Sequence, residues 1–217
     1  MSVPPNTLLP PKAPNLPVGP LQYEQRYQNQ LLADLRRYFN TLDNALGLLL
    51  GTGGGGGKYV RFPYGAFQSE VDQTATVNTA TAMTFNVTDY SNDVSVVSNS
   101  RITVVNSGVY NLQWSGQFEN VDTQIHDASV WIRVNGADVV GSNGLISVPN
   151  KHGGVNGHTI AAWNYFVQLN AGDYVELWWS TDDAQVSLQY SAAGTSPTRP
   201  TTASVIATLS FVSALPA

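Results

Sequence analysis

The sequence has no cysteine and few charged residues, and both features limit the classes of function that the protein can have. The absence of cysteine among 217 residues excludes disulfide bonds, thiolate metal sites and cysteine nucleophiles. Only 12% of the residues are charged, against the usual quarter or so, and the net charge is −5. An acidic chain lacks the basic surface that nucleic-acid binding requires, so we expect no nucleic-acid partner. The polar but weakly charged composition favours an assembled particle component over a metabolic enzyme.

Long apolar runs are also missing. No stretch approaches the ~18 apolar residues of a membrane-spanning helix, so membrane insertion is not expected. The first 20 residues hold one lysine and no continuous apolar core, which is unlike a secretion signal. We therefore expect any release from the producing cell to occur by another route, such as lysis.

Motifs of catalysis and metal binding are absent as well. The sequence has no Gly-x-Ser-x-Gly elbow, His-Glu-x-x-His motif or phosphate-binding loop. The segment "KHGGVNGH" could supply a metal site or a nucleophile–base pair, but its glycines indicate a tight surface loop first. The histidines are His126, His152 and His158. Four aspartates could give calcium its oxygen ligands but lack the spacing of a calcium loop, and turn aspartates usually cap backbone donors: Asp122, Asp127, Asp182 and Asp183. We predict no enzyme activity, no metal and no cofactor.

The amino-terminal 20 residues are rich in proline. They contain seven of the twelve prolines, and proline favours extended, polyproline-like backbone. Apolar side chains such as Leu8 and Leu16 lie between the prolines. We interpret residues 1–20 as a docking arm, with a disordered tail as the alternative reading.

Residues 21–50 carry a heptad pattern that predicts a helix. Leu21, Leu35, Leu42 and Leu49 occupy one position of a seven-residue repeat, and other apolar residues fall between them at spacings of three and four. Glu24 and Gln28 are polar exceptions near the start. The side chains expected to mediate helix association are Leu31, Leu35, Tyr38, Leu42 and Leu49. Two arrangements remain open: self-association in a short parallel bundle, which we favour slightly, or one helix packed on a neighbouring protein.

Residues 51–58 form a glycine-rich segment that we interpret as a hinge. Glycine runs behave as flexible coils, so this segment would let the helix and the following domain take different orientations. The hinge glycines are Gly53, Gly54, Gly55, Gly56 and Gly57.

Residues 59–217 read as β-structure throughout. Apolar and polar residues alternate in "GVYNLQWSGQFEN" and "ASVWIRVNG", as in half-buried strands. "VNSGVY" and "VNGADV" predict turns in which a glycine takes a positive φ. Eight or more short strands separated by turns predict a jelly roll or a related sandwich. The fold class is therefore mainly β, with an extended arm and one helix before the head.

Two tryptophans fall on the strand faces opposite the aliphatic residues. Trp131 and Trp178 alternate with core-type positions and stand near Arg133 and Glu176. Exposed aromatic residues of this kind indicate an interface or a sugar-binding platform. We assign Trp131, Trp178 and Tyr174 to a trimer interface and keep a ligand platform as the alternative.

The order of these elements resembles the jelly roll of tumour necrosis factor and of the globular heads of the first complement component. That resemblance covers roughly residues 64–213, and the family's last-strand glycine is missing here. The matching positions are Phe85, Gly108, Tyr110, Asn135, Gly136, Leu169, Gly172, Asp173, Val175 and Phe211. Members of this family are trimers with a stalk on the amino side, so the resemblance implies a homotrimer.

The whole chain also resembles virion structural proteins of tailed bacteriophages. Those proteins pair a proline-rich start and a helix like "LRRYFNTLDNAL" with a jelly roll carrying "VPNKHGGVNGHTIAAWNYF". This resemblance implies a virion-surface protein, either a capsid decoration or a short fibre, assembled in the host cytoplasm and released by lysis. Residues 1–50 would bind other virion proteins. The alternatives are a tail fibre or receptor-binding adhesin that contacts a host-surface glycan, and a freestanding bacterial lectin-like module.

Overall fold

The computed structural model describes residues 14–16, 18–50 and 62–215. The described part falls into two compact units, one ending at Phe62 and the other comprising Pro63–Leu215. The predicted hinge, with Gly53 to Gly57, and most of the predicted arm lie outside the described residues. The predicted head began at residue 59, whereas the compact unit begins at Pro63.

The helix α1 spans Gln25–Leu50, so it starts four residues later than the heptad pattern predicted. Residues 21–24 contain no Ser, Thr, Asp or Asn to cap the free N–H groups of an earlier start. The first hydrogen bond runs from the N–H of Gln28 to the carbonyl of Glu24, at 3.2 Å. α1, the one helix in the described ranges, is not apolar enough over its length to cross a membrane.

The predicted association stripe lies along one side of α1. Leu31, Leu35, Tyr38 and Leu42 are half-buried, and the side chain of Leu49 lies outside the described residues. The adjacent row of Leu32, Phe39 and Leu46 is 41–54% exposed. The helix thus presents apolar side chains that its own chain leaves largely uncovered.

The second unit is built from antiparallel strands. The first eight strands are β1 (Tyr64–Ser69), β2 (Gln73–Thr74), β3 (Thr81–Ala82), β4 (Val87–Asn92), β5 (Val94–Val97), β6 (Arg101–Val104), β7 (Gly108–Asn120) and β8 (His126–Val134). The remaining strands are β9 (Ala137–Asp138), β10 (Gly144–Val148), β11 (Gly157–Leu169), β12 (Tyr174–Thr181), β13 (Val186–Leu188), β14 (Gly194–Thr195), β15 (Thr198–Arg199) and β16 (Val205–Ser213).

Most of these strands form two seven-stranded sheets. In the first sheet, the strands follow the order β11, β7, β16, β1 and β4, with β13 also beside β7 and β2 beside β13. In the second sheet, the order is β10, β8, β12, β6 and β5, with β3 beside β12 and β9 beside β8. β14 and β15 form a separate hairpin.

The core lies between the inner faces of these two sheets. Tyr110, Leu112, Trp114 and Phe118 of β7 all point inward, as the alternation predicted. Phe118 meets Trp179 of the second sheet edge to face, with ring centroids 5.9 Å apart. Aromatic contacts of this kind, in a continuous cluster of buried residues from both sheets, support a β-sandwich arrangement.

The prediction of a glycine with positive φ holds in one turn and fails in the other. Asn135 and Gly136 both have positive φ in the hairpin between β8 and β9, and Gly172 has φ +87° between β11 and β12. The prediction for "VNSGVY" is wrong, because Gly108 is not among the positive-φ residues and begins β7. A Cβ on Gly108 would lie 2.3 Å from Cε2 of Phe211, so the close approach of that ring requires glycine there.

Candidate functional site

The three aromatic residues assigned to an interface share the outer face of the second sheet. Trp131 of β8 is the direct cross-strand partner of Trp178 of β12. Tyr174 lies on the same face of β12, and all three side chains are half-buried. We call Trp131, Trp178 and Tyr174, with the arginines beside them, the outer aromatic face.

Two arginines cover part of this outer aromatic face. The guanidinium carbon of Arg133 lies 3.9 Å from the ring centroid of Trp178 and 5.8 Å from that of Trp131. Arg101 lies 4.7 Å from the ring centroid of Tyr174. Because cation–π attraction acts within about 6 Å, Trp178 and Tyr174 are already occupied by cations of their own chain.

A buried carboxylate stabilises this arrangement. Glu176 is only 5% exposed, although it points outward from the sheet. The hydroxyl of Ser100 donates to its Oε1 at 2.6 Å, and Nε1 of Trp178 approaches its Oε2 at 3.4 Å. Arg101 lies 3.8 Å away and supplies the opposite charge that a buried carboxylate needs. The sequence placed Glu176 on this face but gave no sign of its burial.

Asp138 fixes the tryptophan at the other end of the face. Nε1 of Trp131 donates to Oδ1 of Asp138 at 2.7 Å, and Nε of Arg133 donates to the same oxygen at 2.5 Å. These hydrogen bonds, first from Arg133 and then from Trp131, hold the pKa of Asp138 below its ordinary value. The Asn135–Gly136 turn makes the contact possible, because it folds β9 back until Asp138 pairs with Arg133.

A shallow depression of about 380 Å³ opens beside Trp131. It lies within the usual range of small-molecule sites, about 300–1,000 Å³. Its lining residues are Ser129, Trp131, Asp138, Val139, Gly141, Asn143 and Ser180. Of these, the sequence analysis had singled out only Trp131. Ser129 alternates with Trp131 along β8, so the sequence alone could have placed it on the same face. Ser180 reaches this site only through the pairing of β8 with β12.

His126 forms a separate charged cluster at the start of β8. Its Nε2 lies 3.0 Å from Oδ2 of Asp122, and its Nδ1 lies 3.5 Å from Oδ1 of Asp182. Asp183 is 3.9 Å from Nε2. The hydrogen bond with Asp122, followed by the charges of Asp183 and Asp182, raises the pKa of His126. The same hydrogen bond lowers the pKa of Asp122.

The turn aspartates bond to the backbone as well. Oδ1 of Asp182 accepts the N–H of Asp127 at 3.0 Å, and Oδ1 of Asp183 accepts the N–H of Gln185 at 2.8 Å. These bonds confirm that turn aspartates here cap backbone donors. In the described ranges, no group of three or more His, Asp and Glu side chains is arranged to hold a metal ion.

The two other histidines lie in or beside a surface turn. His152 and Val155 exchange backbone hydrogen bonds of 2.9 and 3.0 Å across Gly153 and Gly154, which both have positive φ. His152 and His158 are exposed. This geometry confirms the tight surface loop predicted for "KHGGVNGH".

The outer face of the first sheet carries exposed apolar side chains, and its charged residues are Glu119 of β7 and Asp89 of β4, which accepts a hydrogen bond from Gln68. The exposed fractions of the apolar side chains range from 40% to 66%, and these side chains comprise Tyr64, Tyr90, Ile160, Phe166 and Ile206. Across the register, Phe166 is opposite Asn111 and Ser210 is opposite Tyr64. The row Tyr64, Ser210, Asn111 and Phe166 crosses four strands without a charge, and we call this row the uncharged face.

The sequence was also compared with known proteins. No protein-family model matches the chain, and no curated protein matches it.

Proposed function

We propose that this chain is a structural protein of a tailed-bacteriophage virion surface, anchored through residues 1–50 and displaying a trimeric jelly-roll head. Within this proposal the head is a capsid decoration or a short fibre. The observation that carries the anchoring role is the exposed apolar row of α1. Leu32, Phe39 and Leu46 gain free energy only when another surface covers them, about 1.5–3 kcal/mol for each fully buried side chain.

The strand pairing supports a jelly roll. The eight strands that build the two layers are, in chain order, β1, β6, β7, β8, β10, β11, β12 and β16. The first pairs with the eighth, the second with the seventh, the third with the sixth and the fourth with the fifth. The third also pairs with the eighth and the fourth with the seventh. This is the pattern of a four-pair hairpin wrapped into two sheets, as in double Greek-key jelly rolls.

The uncharged face supports a homotrimer. An interface core is depleted in charge and enriched in aromatic residues, and this surface offers Phe166 and Tyr64 among neutral polar side chains. The sequence-based prediction placed the contact at Trp131, Trp178 and Tyr174 instead. That assignment stays a prediction, but the arginines bound to those rings make the uncharged face the better candidate.

The location is tested by cryo-electron microscopy of purified virions from the phage that encodes the chain. We expect density for the head on the particle surface and residues 1–50 in contact with another virion protein. A variant lacking residues 1–50 should keep a folded head and lose the particle. The proposal fails if purified virions lack the chain, or if the truncated chain occupies the particle fully.

A receptor-binding fibre or adhesin is the second candidate, and the depression beside Trp131 favours it. A small polar recess next to an aromatic ring is of use to a protein that contacts a ligand. Both candidates place the head outward.

A further inference from the structure

We propose that the depression beside Trp131 binds one neutral pyranose unit of a glycan. This inference deepens the outward-facing head of the proposed function by naming its ligand class. It concerns the head alone and depends on no contact with other virion proteins.

The aromatic platform is the first argument. A pyranose has an apolar face of C–H groups that packs on an aromatic ring and a rim of hydroxyls that need polar partners. Trp131 lines the depression, and its Nε1–H is engaged by Asp138, which fixes the indole ring. Arg133 sits 1.9 Å closer to the ring of Trp178 than to that of Trp131 (5.8 against 3.9 Å), so Trp131 is the less occupied ring.

The unused polar groups around the depression are the second argument. Oδ1 of Asp138 takes both hydrogen bonds from the chain, and Oδ2 has no partner within the described part. The side chains of Ser129, Asn143 and Ser180 also make no hydrogen bond to any described residue. Carboxylate, amide and hydroxyl groups together both accept from and donate to sugar hydroxyls.

The rim of the depression is held in place before any ligand binds. The hydroxyl of Ser142 donates to the carbonyl of Val139 at 2.7 Å and accepts the N–H of Ile132 at 3.0 Å. Gly141 takes φ +79°, which permits the sharp turn between these bonds. The floor consists of neighbouring residues on β8 and β12, including the cross-strand pair Ser129 and Ser180. A preorganised site loses less entropy when it binds.

The charge of Asp138 makes the site favour neutral sugars over acidic ones. Arg133 binds Oδ1 of Asp138, and a sugar acid would place its negative charge beside the other oxygen, Oδ2, which no described cation pairs with. Neutral hexoses and N-acetylhexosamines avoid this repulsion. The depression is small and open, so we expect a dissociation constant on the order of millimolar for one monosaccharide. A trimer would present three copies and gain avidity on a repetitive glycan.

The test is NMR titration of the full chain with methyl glycosides of glucose, galactose, mannose and N-acetylglucosamine. We expect at least one of them to shift one of the five indole N–H signals in a saturable way, up to about 100 mM sugar. Trp131→Phe assigns that signal to Trp131. Sorbitol, which has no ring, and N-acetylneuraminic acid, which is charged, should leave it unshifted.

Three variants separate the sugar site from the fold. Asp138→Asn should weaken binding at least about tenfold. Asn143→Ala should also weaken it, and this exposed side chain makes no described contact that folding needs. Tyr90→Ala, which removes an exposed aromatic ring from the other sheet, should bind as the wild type does.

The proposal is overturned if no glycoside gives a saturable shift, or if Asn143→Ala and Asp138→Asn bind as well as the wild type. It is also overturned if Tyr90→Ala lowers binding as much as they do. Because the titration uses the isolated chain, a failed titration leaves the virion location standing. If the chain binds a sugar but is absent from virions, the virion proposal fails and the sugar-binding proposal stands.

Discussion

At the scale of single residues, the head contains one ion-pair cluster whose strength depends on pH. The folded state raises the pKa of His126 above its ordinary value of about 6.5. The stabilisation from His126 is therefore complete below about pH 6.5 and disappears as pH rises through its folded-state pKa. The lowered pKa of Asp122 acts in the opposite range, and its contribution disappears as pH falls through its own folded-state pKa.

We predict that His126→Gln destabilises the protein more at pH 6 than at pH 8. The reason is that only the imidazolium form of His126 pairs fully with Asp122, Asp182 and Asp183. Urea unfolding of both proteins across this pH range measures the difference. His152→Gln removes an exposed histidine that lies outside this cluster and serves as the control. A pH-independent effect of His126→Gln would contradict the ion-pair account.

At the scale of elements, α1 is the segment whose partner decides its role. In proteins most helical stability comes from packing of an apolar face, so the stability of the 26-residue α1 depends on what covers its apolar side. Leu35 and Tyr38 of the predicted association stripe are half-buried, whereas Ala33 of the same helix is exposed.

We predict that Leu35→Glu weakens self-association of the full chain by at least about tenfold, because it buries a charge in the predicted association stripe. Ala33→Glu introduces the same charge on the exposed side and should have little effect. Sedimentation equilibrium measures both association constants. If Leu35→Glu associates as the wild type does, the helix packs on another virion protein rather than on itself.

The elements also show what a sequence can and cannot predict. Alternation in β7 and β8 identified the inward residues, since a strand has only two faces to assign. The predicted start of α1 was wrong because a heptad pattern does not show which residues can cap the first turn of a helix. The sequence pointed to Trp131 as part of a ligand platform but missed the other residues of the candidate site for a different reason. Asp138, Ser180 and Trp131 meet only through the pairing of three strands, and pairing registers are not written in any one of them.

At the scale of the whole molecule, the proposed homotrimer requires that one face of the head contact its copies. The uncharged face and the outer aromatic face lie on different sheets, so variants can separate them. The chain has a mass of 23.3 kDa, and light scattering of a homotrimer should give three times that value.

We predict that Phe166→Glu combined with Leu35→Glu reduces the proposed homotrimer to a monomer, because together they place charges in both proposed contacts. Val140→Glu is the matched control, since Val140 is 95% exposed and lies by the depression on the other sheet. We expect Val140→Glu to remain trimeric by light scattering. A monomeric wild type, or a trimer that dissociates on changes to Trp131 and not to Phe166, would refute the uncharged face as the contact.

The strand β11 carries a last consequence. It spans 13 residues, pairs along one side with β7, and contains no lysine, arginine, aspartate, glutamate or proline. On its other side no described strand pairs with it in the first sheet. Proteins usually protect such a margin with charge or proline, and without them sheets from different molecules can add to one another. We therefore expect the isolated head to aggregate through this margin unless another chain covers it.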